Sequence, residues 1–247
     1  KKPIFLLNSP EEKYGLLHNA GIPNIVVVPF NNRFAEQPAI SYIRDFLVDK
    51  FHPHTIIIGY DHRFGKGRTG DYRLLEQEAR NYQYVVKEIP EHILQDVTIS
   101  STKVREALLH GDISTANKFL GYNYFFSGKV IEGNKQGRTI GYPTANLHIS
   151  DEQKLVPANG VYAVQVSVEG FEGPYKGMMN IGTRPTVNGT SRVTEVNIFD
   201  FDETIYGKLV TVTLVKRLRD EVKFNGLDAL KAQLAQDKLA AEASLKP

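Results

Sequence analysis

The apolar positions of this chain follow one rhythm up to about residue 120 and a different one beyond it. Ile25-Val26-Val27-Val28 and Thr55-Ile56-Ile57-Ile58-Gly59 are continuous apolar runs, as expected of strands buried on both faces. Tyr84-Val85-Val86 predicts a third strand. Between them Ile40, Ile43, Phe46 and Leu47 recur at helical spacing, and the stretch 71–82 predicts a further helix. Ser9-Pro10-Glu11-Glu12 supplies a capping Ser, a Pro at the first helical position and a Glu three residues after the cap. A helix is therefore expected from there through Leu17, ended by Gly21, and a helical pair over 101–120. Apolar strands alternating with helices predict a parallel α/β sheet.

Past Gly121 the period becomes two. In Val161-Tyr162-Ala163-Val164-Gln165-Val166-Ser167-Val168 larger apolar residues alternate with smaller or polar ones, and Lys208-Leu209-Val210-Thr211-Val212-Thr213-Leu214 repeats the pattern. Asn159-Gly160 and Asn188-Gly189 are turn signals. Short strands with no helix between them predict an antiparallel sheet or barrel. Leu227, Leu230 and Leu234 then mark a terminal amphipathic helix running toward Ala243. Two domains are expected, 1–123 and 124–247, and 247 residues suffice for both to bury a core.

Composition narrows the function classes. Thirty Lys and Arg against 28 Asp and Glu give a net charge of +2, without the basic excess of a nucleic-acid surface. No Cys is present, which removes disulfides, thiolate nucleophiles and cysteine-ligated zinc and fits a reducing compartment. No apolar run approaches the roughly 20 residues of a membrane helix. The seven His are scattered, and His52-Pro53-His54 has no carboxylate cluster near it, so no histidine metal site is expected.

The stretch Gly133-Asn134-Lys135-Gln136-Gly137-Arg138-Thr139-Ile140-Gly141-Tyr142-Pro143-Thr144-Ala145-Asn146 carries the most chemistry. Gly133, Gly137 and Gly141 allow tight turns and close approach to a ligand, and Lys135 and Arg138 attract negative charge. Thr144 and Asn146, two apart on an extended segment, offer two neutral oxygens to one side. A Mg²⁺ ion carrying phosphates takes few protein ligands, of that kind. No Gly-Lys-Ser/Thr follows the glycines, so a P-loop is excluded. Read alone, the glycine motif is more often a glycine-rich hairpin with no ligand.

The same residues resemble the signature of riboflavin kinases, in particular the kinase half of the bacterial bifunctional riboflavin kinase/FAD synthetases. The resemblance implies Mg²⁺ on Thr144 and Asn146, and ATP phosphates covered by Gly133, Lys135, Gly137 and Arg138. Asn159-Gly160-Val161-Tyr162 and Asn180-Ile181-Gly182-Thr183-Arg184-Pro185-Thr186 resemble further family segments and imply Asn180 and Gly182 near the nucleotide. Arg217-Leu218-Arg219-Asp220-Glu221-Val222-Lys223-Phe224 resembles the segment bordering the flavin, implying Arg219 and Phe224 as its contacts; a solvated charge run is the bland alternative.

Glu195 lies in the alternating run Val193-Thr194-Glu195-Val196-Asn197-Ile198-Phe199-Asp200-Phe201, with Asn197, Phe199 and Phe201 expected on its face. A carboxylate beside aromatics is partly desolvated and suited to general-base work. The resemblance implies the same residue as the base that takes the ribityl hydroxyl proton when ATP phosphorylates riboflavin to FMN. A carboxylate across the barrel wall from Thr144 and Asn146 would remove that assignment.

In the first half, Ile99-Ser100-Ser101-Thr102-Lys103-Val104-Arg105 resembles a nucleotidylyltransferase motif and implies Ser100, Ser101, Thr102 and Arg105 at phosphate; locally it is also an ordinary helix cap. Gly59-Tyr60-Asp61-His62-Arg63-Phe64-Gly65-Lys66-Gly67-Arg68 resembles the loop lying against the flavin nucleotide, with Asp61 and Arg63 as contacts. The resemblance thus implies a Rossmann-like nucleotidylyltransferase domain followed by a β-barrel kinase domain with a C-terminal helix. It also implies a cytoplasmic enzyme acting on small molecules (riboflavin, FMN and ATP), with neither nucleic acid nor membrane as partner. The family's first half opens on a segment with His-x-Gly-His, which occurs nowhere here, and the sequence opens at Lys1-Lys2-Pro3 without Met. A lost N-terminal segment and first strand are expected, which puts FAD synthesis by this polypeptide in doubt. The competing class is a non-catalytic flavin or nucleotide-binding module.

Overall fold

The structure is a computed structural model and describes residues 5–89, 99–133, 136–186 and 189–246. It packs as two units, one formed by 1–23 together with 99–247 and the other by 24–98.

In the larger unit six strands close into an antiparallel barrel: β3 (Phe125–Ile131), β4 (Ala145–His148), β5 (Gly160–Val168), β6 (Tyr175–Thr186), β7 (Gly189–Ile198) and β8 (Leu209–Arg219). The order around the barrel is β3-β4-β7-β6-β5-β8. Alternate residues turn inward, and Phe126, Val130, Leu147, Val164, Val166, Met179, Ile181, Val196, Val212 and Leu214 fill the interior. The 18-residue helix Leu227–Ser244 covers part of the outside. Beneath it the outward residues are also apolar: Ala163, Met178 and Phe199 pack with Ala241 and Leu245. The small Ala163 in the β5 pattern lets that helix approach the wall.

The first strand of the barrel follows two helices, α3 (Ser101–His110) and α4 (Ile113–Leu120). Their Val104, Leu108, Ile113 and Ala116 sink into the same apolar cluster as the barrel interior. Asn117 reinforces this, its Nδ2 donating to the Leu214 carbonyl and its Oδ1 accepting from the Tyr124 amide. The helical pair, read from sequence as closing the first half, is thus packed with the barrel. The compact units change over between residues 23 and 24 and again between 98 and 99.

Residues 5–19 join the same unit. Helix α1 (Pro10–Asn19) begins with the expected capping box, Ser9 and Glu12 bonding reciprocally to each other's backbone amides. Glu12 also accepts from Lys154 Nζ at 2.5 Å. That ammonium, its side chain 2 % exposed, donates further to the Leu7 and Phe125 carbonyls and lies 4.6 Å from the centre of the Tyr124 ring. Every proton of this buried cation has an acceptor, which offsets its desolvation.

In the unit 24–98, β1 (Thr55–Gly59) and β2 (Val85–Ile89) pair in parallel, joined through α2 (Tyr72–Tyr82), which Asp71 caps. Ile43, Ile58, Phe64, Leu75 and Tyr84 form its core. The helical stretch over 39–51 is present, with a π-helical centre at Tyr42–Val48. The strand expected at Ile25–Val28 is not formed. Among the described residues nothing pairs with it, and Val26 and Val27 are 60 % exposed. An apolar β-branched run has strand propensity, but without a ladder partner it gains no backbone hydrogen bonds.

Candidate functional site

The strands β4, β7 and β6 lie side by side, and their register sets three polar residues in one row. Asn146 in β4 pairs with Glu195 in β7, and Glu195 pairs on its other side with Asn180 in β6. Because Val196 and Met179 point into the barrel, this row points outward, toward the C-terminal helix. Thr144 precedes β4, and its side chain, those of the row, Arg184 and Asn197 line one cavity of about 250 Å³. Its apolar side comes from Tyr142, Met178, Val222, Phe224 and helix residues Leu227, Leu230 and Leu234. Polar groups converging on one side and apolar ones on the other suit a ligand with a charged end and a flat or aliphatic body.

The backbone entering β4 is fixed by Asn197, whose Nδ2 donates to the Pro143 carbonyl at 2.7 Å. The glycines upstream are places where backbone and side chains crowd. A methyl group on Gly133 would overlap the Asn146 amide, and one on Gly137 would overlap the Tyr142 carbonyl. Gly182 serves the same end in β6: the Glu221 carboxylate occupies the space a side chain there would need, beside the Asn180 amide.

Glu195 is 16 % exposed and accepts from Arg184 Nη2 at 2.6 Å. Its close polar partner is thus a guanidinium. Of the aromatics expected on its face, Phe199 keeps the outward direction and packs under the helix, but Phe201 does not. The strand ends at Ile198, Asp200 takes φ +54°, and Phe201 turns away to stack edge-on against Phe171 and Tyr175.

The other predicted residues fall as follows. Arg138 lies in the short helix Gln136–Thr139 and lines a second, smaller cavity of about 70 Å³, which shares Thr144 with the first. Lys135 lies outside the described residues. Phe224 lines the main cavity with the Arg219 guanidinium 5.6 Å from its ring centre. Arg219 is otherwise committed: Nε and Nη2 donate to the two oxygens of buried Asp237 at 2.8 and 2.7 Å, and Nη1 donates to the Asp220 carbonyl. This fork ties β8 to the C-terminal helix, and a flavin contact through those N–H groups requires the pair to open.

Ser100 caps α3, accepting the Lys103 amide at 3.3 Å, while Ser101 and Thr102 are exposed in its first turn and Arg105 Nε donates to the Phe5 carbonyl. In the unit 24–98, Asp61 is exposed and Arg63 folds back onto the Tyr60 and His62 carbonyls. Sequence reasoning missed Asp237 and the pairing of Arg184 with Glu195. The shared parity of Asn180, Gly182 and Arg184 was the available signal.

Comparison with known proteins agrees with this architecture. Residues 120–245 match the family described as riboflavin kinase, and residues 1–103 that described as FAD synthetase. The bifunctional riboflavin kinase/FMN adenylyltransferase of Escherichia coli K12 is 40 % identical over 230 residues, covering 93 % of this chain and 72 % of the relative. Those of Haemophilus influenzae and Bacillus subtilis are 38 % and 36 % identical, covering 94 % and 98 % of this chain and 74 % and 76 % of theirs. A crystal structure described as a macrolide-efflux protein from Streptococcus pneumoniae superposes with a TM-score of 0.80 at 34 % identity, over 96 % of this chain and 75 % of that one. No helix among the described residues is long and apolar enough to cross a membrane. Barrel, cavity and matches define a transferase of flavin-nucleotide biosynthesis. The chain belongs to the family of bifunctional riboflavin kinase/FMN adenylyltransferases.

Proposed function

We propose that the barrel unit transfers the γ-phosphoryl group of ATP to the 5′-hydroxyl of riboflavin, giving FMN and ADP, and that the residues 1–103 belong to the FMN-adenylylating half of the family. The observation that carries the first reading is the row Asn146–Glu195–Asn180, which puts a carboxylate and the Thr144/Asn146 oxygens on one cavity. We keep the functional division at 123/124, which lies beyond the FAD-synthetase match at 1–103 and a few residues inside the riboflavin-kinase match at 120–245.

Thr144 and Asn146 fit a magnesium ion that arrives with phosphates. They are neutral oxygen donors, and among the described residues no group of three or more His, Asp or Glu offers an all-protein cage. When bound, the ion neutralises phosphate oxygens. The chain's own residues do the rest. The isoalloxazine lies against Phe224 and the helix leucines, and its ribityl tail runs toward β7. Glu195 accepts the hydroxyl proton while that oxygen bonds to the γ-phosphorus and the bond to ADP breaks, so that catalysis is largely positioning. Gly137 and Gly182 let the Tyr142 carbonyl and the Glu221 carboxylate pack close against the backbone. Cytoplasm, where ATP and Mg²⁺ are abundant, is the proposed location.

The test is incubation with riboflavin, ATP and Mg²⁺, separating FMN and FAD by chromatography. FMN is expected, and Glu195→Gln is expected to cut its rate by about 10²–10⁴ while riboflavin and ATP still bind. Riboflavin returned unchanged by the wild-type protein sinks the kinase reading. A Glu195→Gln protein with full turnover removes Glu195 as the base. FAD formation tests the adenylylating half separately.

A further inference from the structure

We infer that Arg184 is a positioning residue for the proposed phosphoryl transfer, holding the Glu195 carboxylate in the direction from which it meets the hydroxyl. The inference rests on the kinase reading and extends it to a residue with no role in that reading so far.

The geometry is unusual for an ion pair on a sheet. Arg184 is level with Ser191 in the β6–β7 ladder, whereas Glu195 is level with Asn180. The two charges start four residues apart along their strands, about 13 Å of extended chain. Ordinary cross-strand pairs are directly opposite or offset by two. Both side chains must lean along the strands to meet, and they close to 2.6 Å. Of the two residues between them on this face, Gly182 has no side chain, and the space it leaves is taken by Glu221. The pair therefore spans the floor of the cavity between the Asn180–Glu195 row and the end of β6.

A glutamate has three rotatable side-chain bonds, and the wall around Glu195 is partly open. Charge-assisted bonding to a planar guanidinium selects among its rotamers. Arg184 spends one of its five N–H donors on Glu195. Exposed ion pairs contribute little to stability, and at 38 % exposure for Arg184 this one is not explained as a structural brace. Its place on the cavity wall beside the row is explained if it aims the carboxylate.

The experiment measures steady-state FMN formation for wild type, Arg184→Ala, Arg184→Lys, Glu195→Gln and the double variant Arg184→Ala/Glu195→Gln. Arg184→Ala is expected to lower kcat at least tenfold, with KM for riboflavin and for ATP within threefold and an unchanged melting temperature. Arg184→Lys is expected to recover part of the loss. The double variant should be no slower than Glu195→Gln alone, because with the carboxylate gone there is nothing left to aim. Wild-type turnover together with an unimpaired Arg184→Ala, or losses that multiply in the double variant, overturns the inference and leaves the kinase reading intact. A wild-type protein that forms no FMN overturns both. If Arg184→Ala does not fold, the comparison of Arg184→Lys with the Arg184→Lys/Glu195→Gln double carries the same decision.

Discussion

Asn146 and Glu195 face each other as direct partners in the β4–β7 ladder, so the amide proposed for the metal and the carboxylate proposed as base stand one strand apart. At that separation, about 5 Å between Cα atoms, neither can move without the other's strand. Asn146→Ala and Thr144→Ala should each remove about 1.5–3 kcal/mol of transition-state stabilisation. The expected reading is a fall of at least about tenfold in kcat/KM for ATP. Titrating Mg²⁺ checks the cause, since part of the loss should return at high magnesium.

Gly137→Ala tests the crowding at the turn that leads into Thr144 and Asn146. The added methyl group meets the Tyr142 carbonyl, so the turn entering β4 must shift and carry Thr144 with it. KM for ATP should rise about tenfold while the melting temperature stays within a few degrees, because a short surface turn contributes little to the core. Differential scanning fluorimetry beside initial rates separates the two effects.

Burial of Lys154 holds its ammonium below the ordinary lysine range, with Glu12 pulling the other way. Glu12→Ala leaves that cation facing two carbonyls with no counter-charge. Removing one member of a buried pair costs about 3–5 kcal/mol. Denaturant unfolding of the barrel unit should show most of that loss, and Glu12→Ala/Lys154→Met should recover part of it.

Alkaline stability should report Tyr84. Burial raises its hydroxyl from 10.0 to about 12, and that hydroxyl donates to the Leu75 carbonyl at 2.8 Å. A raised folded value means the contribution is complete below the unfolded value and is lost as pH climbs from 10 to 12. Tyr124 and Tyr162, also raised by burial, add to the same trend. Melting temperature should therefore decline over that window. Tyr84→Phe, though less stable at neutral pH, should decline less steeply over it.

Local signals were readable in the chain. The Ser9 cap, the Asp71–Tyr82 helix and the period-two strands each depend on residues a few positions apart, and each formed. Thr144, Asn146 and Glu195 could be singled out by residue type, Asn180 only by resemblance to the family, and the four line one cavity. What could not be read depends on distant partners. Ile25–Val28 has strand composition, but a strand exists only where another strand accepts it. Leu108 and Ile113 look like any helix core residues until the barrel is present to receive them. Arg219 read as free to meet a ligand because Asp237, 18 positions on, was invisible as its partner. Phe201 left the expected face because one residue, Asp200, adopted a left-handed turn.

The Lys154–Glu12 contact has a practical consequence for anyone dividing this enzyme. Residues 5–23 group with the barrel, and after the unit 24–98 the chain rejoins it at Ile99. A fragment begun at Ile99 would therefore leave the Lys154 ammonium without Glu12 and the Leu7 carbonyl, two of its three acceptors. Any dissection that keeps this seal must carry residues 5–19 along with the barrel.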